Sequence, residues 1–229
     1  MSHNPIIIAL DFEDASQARD LVNTLGDSTD FYKVGLELYA SAGMDFVREL
    51  IGRGKQVFLD LKMYDIGETV KRAVKQIPRA GVRFTTVHGS NAVMRAAVEG
   101  RGDSALKLLG VTVLTSFDQE DLADLGFPCT VQDLVTLRVK NAMTANMDGV
   151  VCSPREAALA RSIAGPEAII VTPGVRSKTA DAGDQKRIST PEEALTAGAS
   201  YVVIGREVTR AADPQAQLAR IHSNLGVIA

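Results

Sequence analysis

Ile6-Ile-Ile-Ala-Leu10, then a stretch of helical composition over residues 15–25, then Phe31-Tyr-Lys-Val34, sets the pattern that the rest of the chain repeats. A run that is apolar on both faces reads as a parallel strand buried on both sides, and the stretch between two such runs is long enough for a crossover helix. Apolar, β-branched runs recur at residues 6–10, 31–34, 57–61, 84–87, 109–114, 149–152, 168–171 and 201–204. Helical stretches follow them at 15–25, 43–53, 69–80, 92–100, 131–143, 154–163, 191–197 and 214–225. Start signals mark three of these: Ser153 before Pro154, Thr190 before Pro191 with Glu193 three further on, and Asp213 before Pro214. Gly26, Gly54, Gly81 and Gly198 follow or close helical stretches, where a left-handed terminating residue is expected. Eight evenly spaced βα units in 229 residues predict an α/β chain closed into a (β/α)8 TIM barrel rather than an open doubly wound sheet. Composition does not shift along the chain, so residues 1–229 are expected to form one domain.

The bulk numbers exclude several classes. With 45% hydrophobic and 23% charged residues, a core is available without disulfides or metals. The 25 basic and 28 acidic residues are well mixed and the formal charge is −3, so there is no basic stripe of the kind a nucleic-acid binder uses. Cys129 and Cys152 have neither CxxC spacing nor a neighbouring histidine, which argues against a disulfide framework or zinc site and suits a reducing cytosol. Met1-Ser-His-Asn-Pro5 lacks the basic and apolar regions of a secretory signal, and no apolar run is long enough to span a bilayer, so a cytoplasmic location is expected, with no membrane partner.

In such a barrel the site lies at the C-terminal ends of the strands, and here those ends are polar. The first run ends in Asp11, the second carries Lys33, the third ends in Asp60 and Lys62, and the fourth in His88. The fifth leads to Thr115-Ser116, the seventh to Thr172-Pro173-Gly174 and the eighth to Gly205-Arg206. Asp60 and Lys62 are two apart on one strand and so share a face. Charges buried in a barrel mouth must alternate in sign and pair, and Lys33, Asp60 and Lys62, with Asp65 from either chain, supply that alternation. A structural ion-pair network is one reading of this set; a preorganised electrostatic site with a lysine able to deliver a proton is the other. Gly174, Gly205 and Arg206, with Arg176 and Gln185 in the polar loop at 176–189, offer close backbone approach and guanidinium forks for a phosphate. His88 reads as a satisfied strand-end residue, and His3 and His222 as terminal or surface residues.

Taken in order, these blocks resemble the orotidine 5'-monophosphate decarboxylases over nearly the whole chain: Ala9-Leu-Asp11, Lys33-Val-Gly35, Asp60-Leu-Lys-Met-Tyr-Asp-Ile66 with Thr69, Val111-Thr-Val-Leu-Thr-Ser116, Val171-Thr-Pro-Gly-Val-Arg176, Ala182-Gly-Asp-Gln185 and Ile204-Gly-Arg206. The resemblance implies a homodimer that converts orotidine 5'-monophosphate to uridine 5'-monophosphate and carbon dioxide in de novo pyrimidine synthesis, with no metal or organic cofactor. It implies that Lys62 protonates C6 while Asp60 lies against the departing carboxylate. Lys33 would orient Asp60 and contact the ribose, and Asp11 would bind a ribose hydroxyl. Asp65, Ile66 and Thr69 would reach into the neighbouring subunit's site, Asp65 completing the charge tetrad. Thr115 and Ser116 would meet the pyrimidine, with Pro173 in the loop beyond. Gln185, Arg206 and the Gly205 backbone would hold phosphate, with Arg176 in the loop that closes over it. Gly67 stands where the family pattern has proline, a more flexible start to the segment carrying Thr69.

Two other readings share these features. A metal-dependent sugar-phosphate decarboxylase of the same suprafamily has a similar Asp-x-Lys-x-x-Asp block, but places a carboxylate on the second strand where this chain has the cation Lys33. A non-catalytic nucleotide-binding barrel would be expected to lack one member of the tetrad, and all four residues are here.

Overall fold

Apolarity on both faces of each strand is resolved by closing the sheet into a cylinder, which gives every strand one face inside and one face under the helices. The computed structural model describes residues 4–177 and 189–226. Its eight strands are β1 (Ile6–Ala9), β2 (Phe31–Gly35), β3 (Gln56–Met63), β4 (Phe84–His88), β5 (Lys107–Val111), β6 (Gly149–Val151), β7 (Ile169–Pro173) and β8 (Tyr201–Ile204). They pair in parallel in chain order, and β8 returns to β1 to close the barrel. The helices are α1 (Ala15–Leu25), α2 (Leu36–Gly52), α3 (Gly67–Val74), α4 (Asn91–Arg101), α5 (Gln119–Asp124), α6 (Val131–Thr144), α7 (Ala157–Ala164), α8 (Pro191–Thr196), α9 (Arg206–Thr209) and α10 (Pro214–Asn224).

Residue alternation sorts the core into two clusters. Ile6, Ile8 and Leu10 pack outward with the helices, whereas Ile7 and Ala9 face the barrel interior with Phe31, Phe58, Phe84, Leu109, Val151, Val171, Tyr201 and Val203. Phe31, Phe84 and Tyr201 meet edge to face, with ring centroids 5.1–5.6 Å apart. The Arg83 guanidinium lies 5.1–5.7 Å from all three rings and donates to the Tyr201 hydroxyl at 2.8 Å. These rings form an apolar floor. Two residues further along the strands, on the same inward faces, stand Lys33, Asp60 and Thr86, so a floor of rings sets the level of the polar mouth.

The signals read at helix ends take the expected form. Ser153 and Thr190 close capping boxes with Glu156 and Glu193, and the Asp213 carboxylate accepts the Ala216 N–H at 2.9 Å. The glycines at 26, 54, 81 and 198 all have positive φ. The differences have local causes. α2 begins at Leu36 rather than residue 43 because Gly35 starts a first segment directly after β2, and a kink at Gly43 joins it to the second. The stretch at 69–80 divides into α3 and a 3-10 turn, Ile77–Ala80, with Pro78 in it. β5 ends at Val111, three residues before the apolar run does, and α5 and α9 are short helices in the loops after β5 and β8. His222 corrects the surface reading: it lies on the inner side of α10 and is buried. His3 lies outside the described residues. Among the described residues no helix is long and apolar enough to cross a membrane.

The floor carries a measurable share of stability. Phe84→Ala, at a side chain 1% exposed, is expected to cost about 3–5 kcal/mol in urea denaturation; a loss below about 1 kcal/mol would show that the ring stack does not support the barrel.

Candidate active site

The site begins with an irregularity in the sheet. Leu59 pairs with Thr85 and Met63 with Val87, so four steps along β3 are matched by two along β4. Asp60, Leu61 and Lys62 thus face the single residue Thr86, a bulge that breaks the ladder where two charges must be aimed. Lys62 takes up the irregularity with φ of +48°, a left-handed conformation costing a non-glycine residue roughly 1–2 kcal/mol. The Thr86 hydroxyl fills the gap: it accepts the Lys62 N–H at 2.9 Å and donates to Asp60 Oδ1 at 2.8 Å. Lys62 Nζ then bonds Asp60 Oδ2 at 2.8 Å. The two charges share the mouth, as their two-residue spacing predicts, but through a bulge rather than a regular strand.

Lys33 and Asp60 are 8% and 7% exposed, so each needs a partner to offset its lost hydration. Asp60 has Lys62 and Thr86. Lys33 Nζ donates to Asp11 Oδ1 at 2.7 Å, so in this structure its carboxylate partner is Asp11 on the neighbouring strand end. Gly35 makes room for that bridge: a Cβ there would sit 3.0 Å from both Asp11 Oδ1 and Lys33 Nζ. Its φ of −89° suits any residue, so the glycine is needed here for space.

These pairs lie at the base of a cleft of about 820 Å³ at the C-terminal ends of the strands. Asp11, Lys33, Asp60, Lys62, Thr115, Ser116, Pro173, Gly174, Arg176, Gly205 and Arg206 all line it, so six separated stretches of the chain converge on one cavity. Val111, Val113, Leu114 and Cys152 add an apolar wall that the reading of strand ends passed over. Asp65, Ile66 and Thr69 do not line the cleft of their own chain; all three are exposed, Ile66 at 76%, and the Asp65 carboxylate accepts the adjacent Ile66 N–H at 2.6 Å. Gln185 lies outside the described residues. Around the phosphate-type loops, Arg176 N–H bonds the Ser189 carbonyl at 3.1 Å, and Glu207 accepts the Ser177 N–H at 2.9 Å and Gln217 Nε2 at 2.9 Å, tying the start of the seventh loop to α9 and α10.

Comparison with known proteins now has a geometry to explain. The model of the orotidine 5'-phosphate decarboxylase / HUMPS family matches residues 4–221. The chain belongs to that family. It is 53% identical over 211 residues to an orotidine 5'-phosphate decarboxylase of Rhodopseudomonas palustris (strain ATCC BAA-98 / CGA009), covering 92% of this chain and 89% of that protein. A Caulobacter sp. (strain K31) protein of the same name is 51% identical over 216 residues, 94% of each chain. The crystal structure of orotidine 5'-phosphate decarboxylase from Lactobacillus acidophilus matches with a TM-score of 0.84 at 35% identity, over 97% of this chain and 99% of that one.

Within that family, two further placements matter. Gly67 is the first residue of α3, a helix position that suits proline in general, but a Cβ there would lie 3.3 Å from the Ala96 Cβ on α4, a tight approach that glycine avoids. Thr86 was missed by attention to strand ends alone; the signal for it was the inward alternation Phe84, Thr86, His88 on β4.

His88 stands apart from the cleft lining, with its ring 5.3 Å from that of Tyr64. Burial, then the positive charges of Arg138 and Lys62, hold its pKa below the usual histidine value, and burial does the same for His222. Both are therefore neutral in the fold where the unfolded chain begins to protonate. As pH falls through about 6.5 the unfolded state takes up the proton first, so stability declines there and rises again with pH. We expect the His88 ring resonances to titrate below 6.5 and the denaturation midpoint to fall between about pH 7.5 and 5.5; a His88 midpoint above 6.5 would reverse the sign.

Proposed function

We propose that the chain decarboxylates orotidine 5'-monophosphate to uridine 5'-monophosphate, the last step of de novo pyrimidine nucleotide synthesis, as a carboxy-lyase whose proton donor is Lys62. The observation that carries the assignment of roles is the Lys62–Asp60 pair, 2.8 Å apart and lining the cleft of a chain of this family. Breaking the bond between C6 and the carboxylate releases carbon dioxide and leaves the electron pair on C6. The Lys62 ammonium stabilises that charge as it develops and then transfers a proton to C6. The resulting amine regains its proton from water.

Other residues divide the nucleotide between them. Asp11 and Lys33, already bridged, suit the ribose hydroxyls. Thr115 and Ser116 offer hydroxyls for the pyrimidine edge, against the apolar wall of Val111 and Val113. Gly174, Pro173, Arg176, Gly205 and Arg206 suit the phosphate, which barrels of this kind bind after strands seven and eight; Gln185 is proposed with them from sequence alone. Phosphate contacts remote from C6 supply binding energy that orders the reacting groups. Lys33 on β2, a cation where a metal-dependent relative needs a carboxylate, favours decarboxylation without metal or organic cofactor.

The proposed working unit is a homodimer in the cytoplasm. Asp65, Ile66 and Thr69 lie outside their own chain's cleft, and Leu36, Tyr64 and Ile66 expose 66–76% of their surfaces where the chain leaves β2 and β3. An uncovered apolar surface beside an exposed carboxylate suits a second copy that receives Asp65 next to Lys62. Cys129 and Cys152, both thiols, fit a reducing compartment.

Purified protein treated with chelator is expected to consume orotidine 5'-monophosphate with the absorbance change of its conversion to uridine 5'-monophosphate; no turnover sinks the activity. Lys62→Ala is expected to abolish turnover in a folded protein, and near-normal turnover removes the lysine from its role. Mixing inactive Asp60→Ala and Asp65→Ala chains is expected to restore part of the activity through mixed dimers with one intact site. Mixed dimers without recovery would place Asp65 elsewhere.

A further inference from the structure

We infer that Thr86 is a positioning residue for the proton donor: its hydroxyl holds Lys62 in a left-handed backbone conformation and fixes the carboxylate that Lys62 pairs with. Three independent features of the structure converge on it. The β3–β4 ladder is broken between Leu59 and Met63, and Thr86 is the one β4 residue opposite the three that are displaced. Lys62 sits at φ +48°, one of only two non-glycine residues with positive φ among the described residues. Thr86 is completely buried, and its single hydroxyl acts as both acceptor and donor, accepting from Lys62 N at 2.9 Å and donating to Asp60 Oδ1 at 2.8 Å.

The physical consequence follows from what the bulge removes. With the ladder broken, the Lys62 N–H loses a regular strand partner, and a left-handed residue without one would relax toward extended backbone. Thr86 supplies the missing acceptor from a side chain that is stiff at χ1 and enclosed on all sides. The same oxygen's proton occupies Asp60 Oδ1, leaving Oδ2 for Lys62 Nζ. Backbone and side chain of the lysine are thus referred to one atom. Thr86 is not among the residues lining the cleft, so it acts through Lys62 and Asp60 and not on the substrate.

The inference rests on the proposed role of Lys62, and its test separates the two. Thr86→Val keeps the shape and removes the hydroxyl; Thr86→Ser keeps the hydroxyl. Steady-state kinetics on the full dimeric protein are expected to show kcat lowered by about 10- to 100-fold in Thr86→Val, the effect of a small misplacement of a reacting group, with KM changed by less than about 3-fold. Thr86→Ser is expected to stay within about 3-fold of the parent, and the pH profile of kcat is expected to move in the valine variant and not in the serine variant. Unchanged kcat in Thr86→Val overturns the inference. So does an equal loss in both variants accompanied by a lowered melting temperature, since that would mark a packing role alone. Crystal structures of parent and Thr86→Val give a reading independent of turnover: Lys62 is expected to leave positive φ or its contact with Asp60, and unchanged geometry overturns the inference whether or not the parent decarboxylates orotidine 5'-monophosphate.

Discussion

Asp60 is a carboxylate inside a barrel, 7% exposed, and the mouth is arranged around giving its two oxygens partners. An unpaired charge at that depth would be costly, whereas one with a hydroxyl on Oδ1 and an ammonium on Oδ2 is tolerated. That single requirement fixes the direction of Lys62, and with it the atom that can reach a ligand in the cleft. The second bridge, Lys33 to Asp11, meets the same need one strand away, in space left by the missing side chain of Gly35. The result is two ion pairs held by their own partners at the mouth, and fixed charges of this kind act on a developing charge without first reorganising.

The barrel beneath supplies the rigidity that such a row needs. Phe31, Phe58, Phe84 and Tyr201 fill the lower interior, and Lys33, Asp60 and Thr86 stand two positions above the three phenylalanines on the same strands. Side chains locked over a packed floor cannot tilt independently. The bulge in β3 is the exception to this regularity, and it falls on the strand end that carries both Asp60 and Lys62. Strain at Lys62 is thus carried by a site whose surroundings over-determine it.

Much of this was legible in the sequence because its signals are local. Runs apolar on both faces gave eight strands, since a strand covered on both sides cannot alternate with polar residues. Caps at Ser153, Thr190 and Asp213 were readable because an N-cap satisfies its own helix's N–H groups within three residues. The strand-end residues Asp11, Lys33, Asp60, Lys62, Thr115 and Arg206 converge because closing a parallel barrel brings all strand C-termini to one face. His222 was misplaced because nearness to the end of a chain says nothing of which side of a helix faces inward; α10 turns it into the core.

The residue types and their order determined the barrel, the mouth and the chemical character of the site: two lysines, two interior-facing carboxyl partners and a glycine-arginine end. Tertiary structure alone decided which carboxylate pairs with which lysine, that β3 slips two residues against β4, and that Thr86 closes the gap. Register and pairing depend on contacts between residues some 20 or more positions apart, such as Thr86 with Asp60 and Lys33 with Asp11, separated by 26 and 22 residues. No periodicity within a strand encodes such a contact, because its energy exists only once the neighbouring strand is in place.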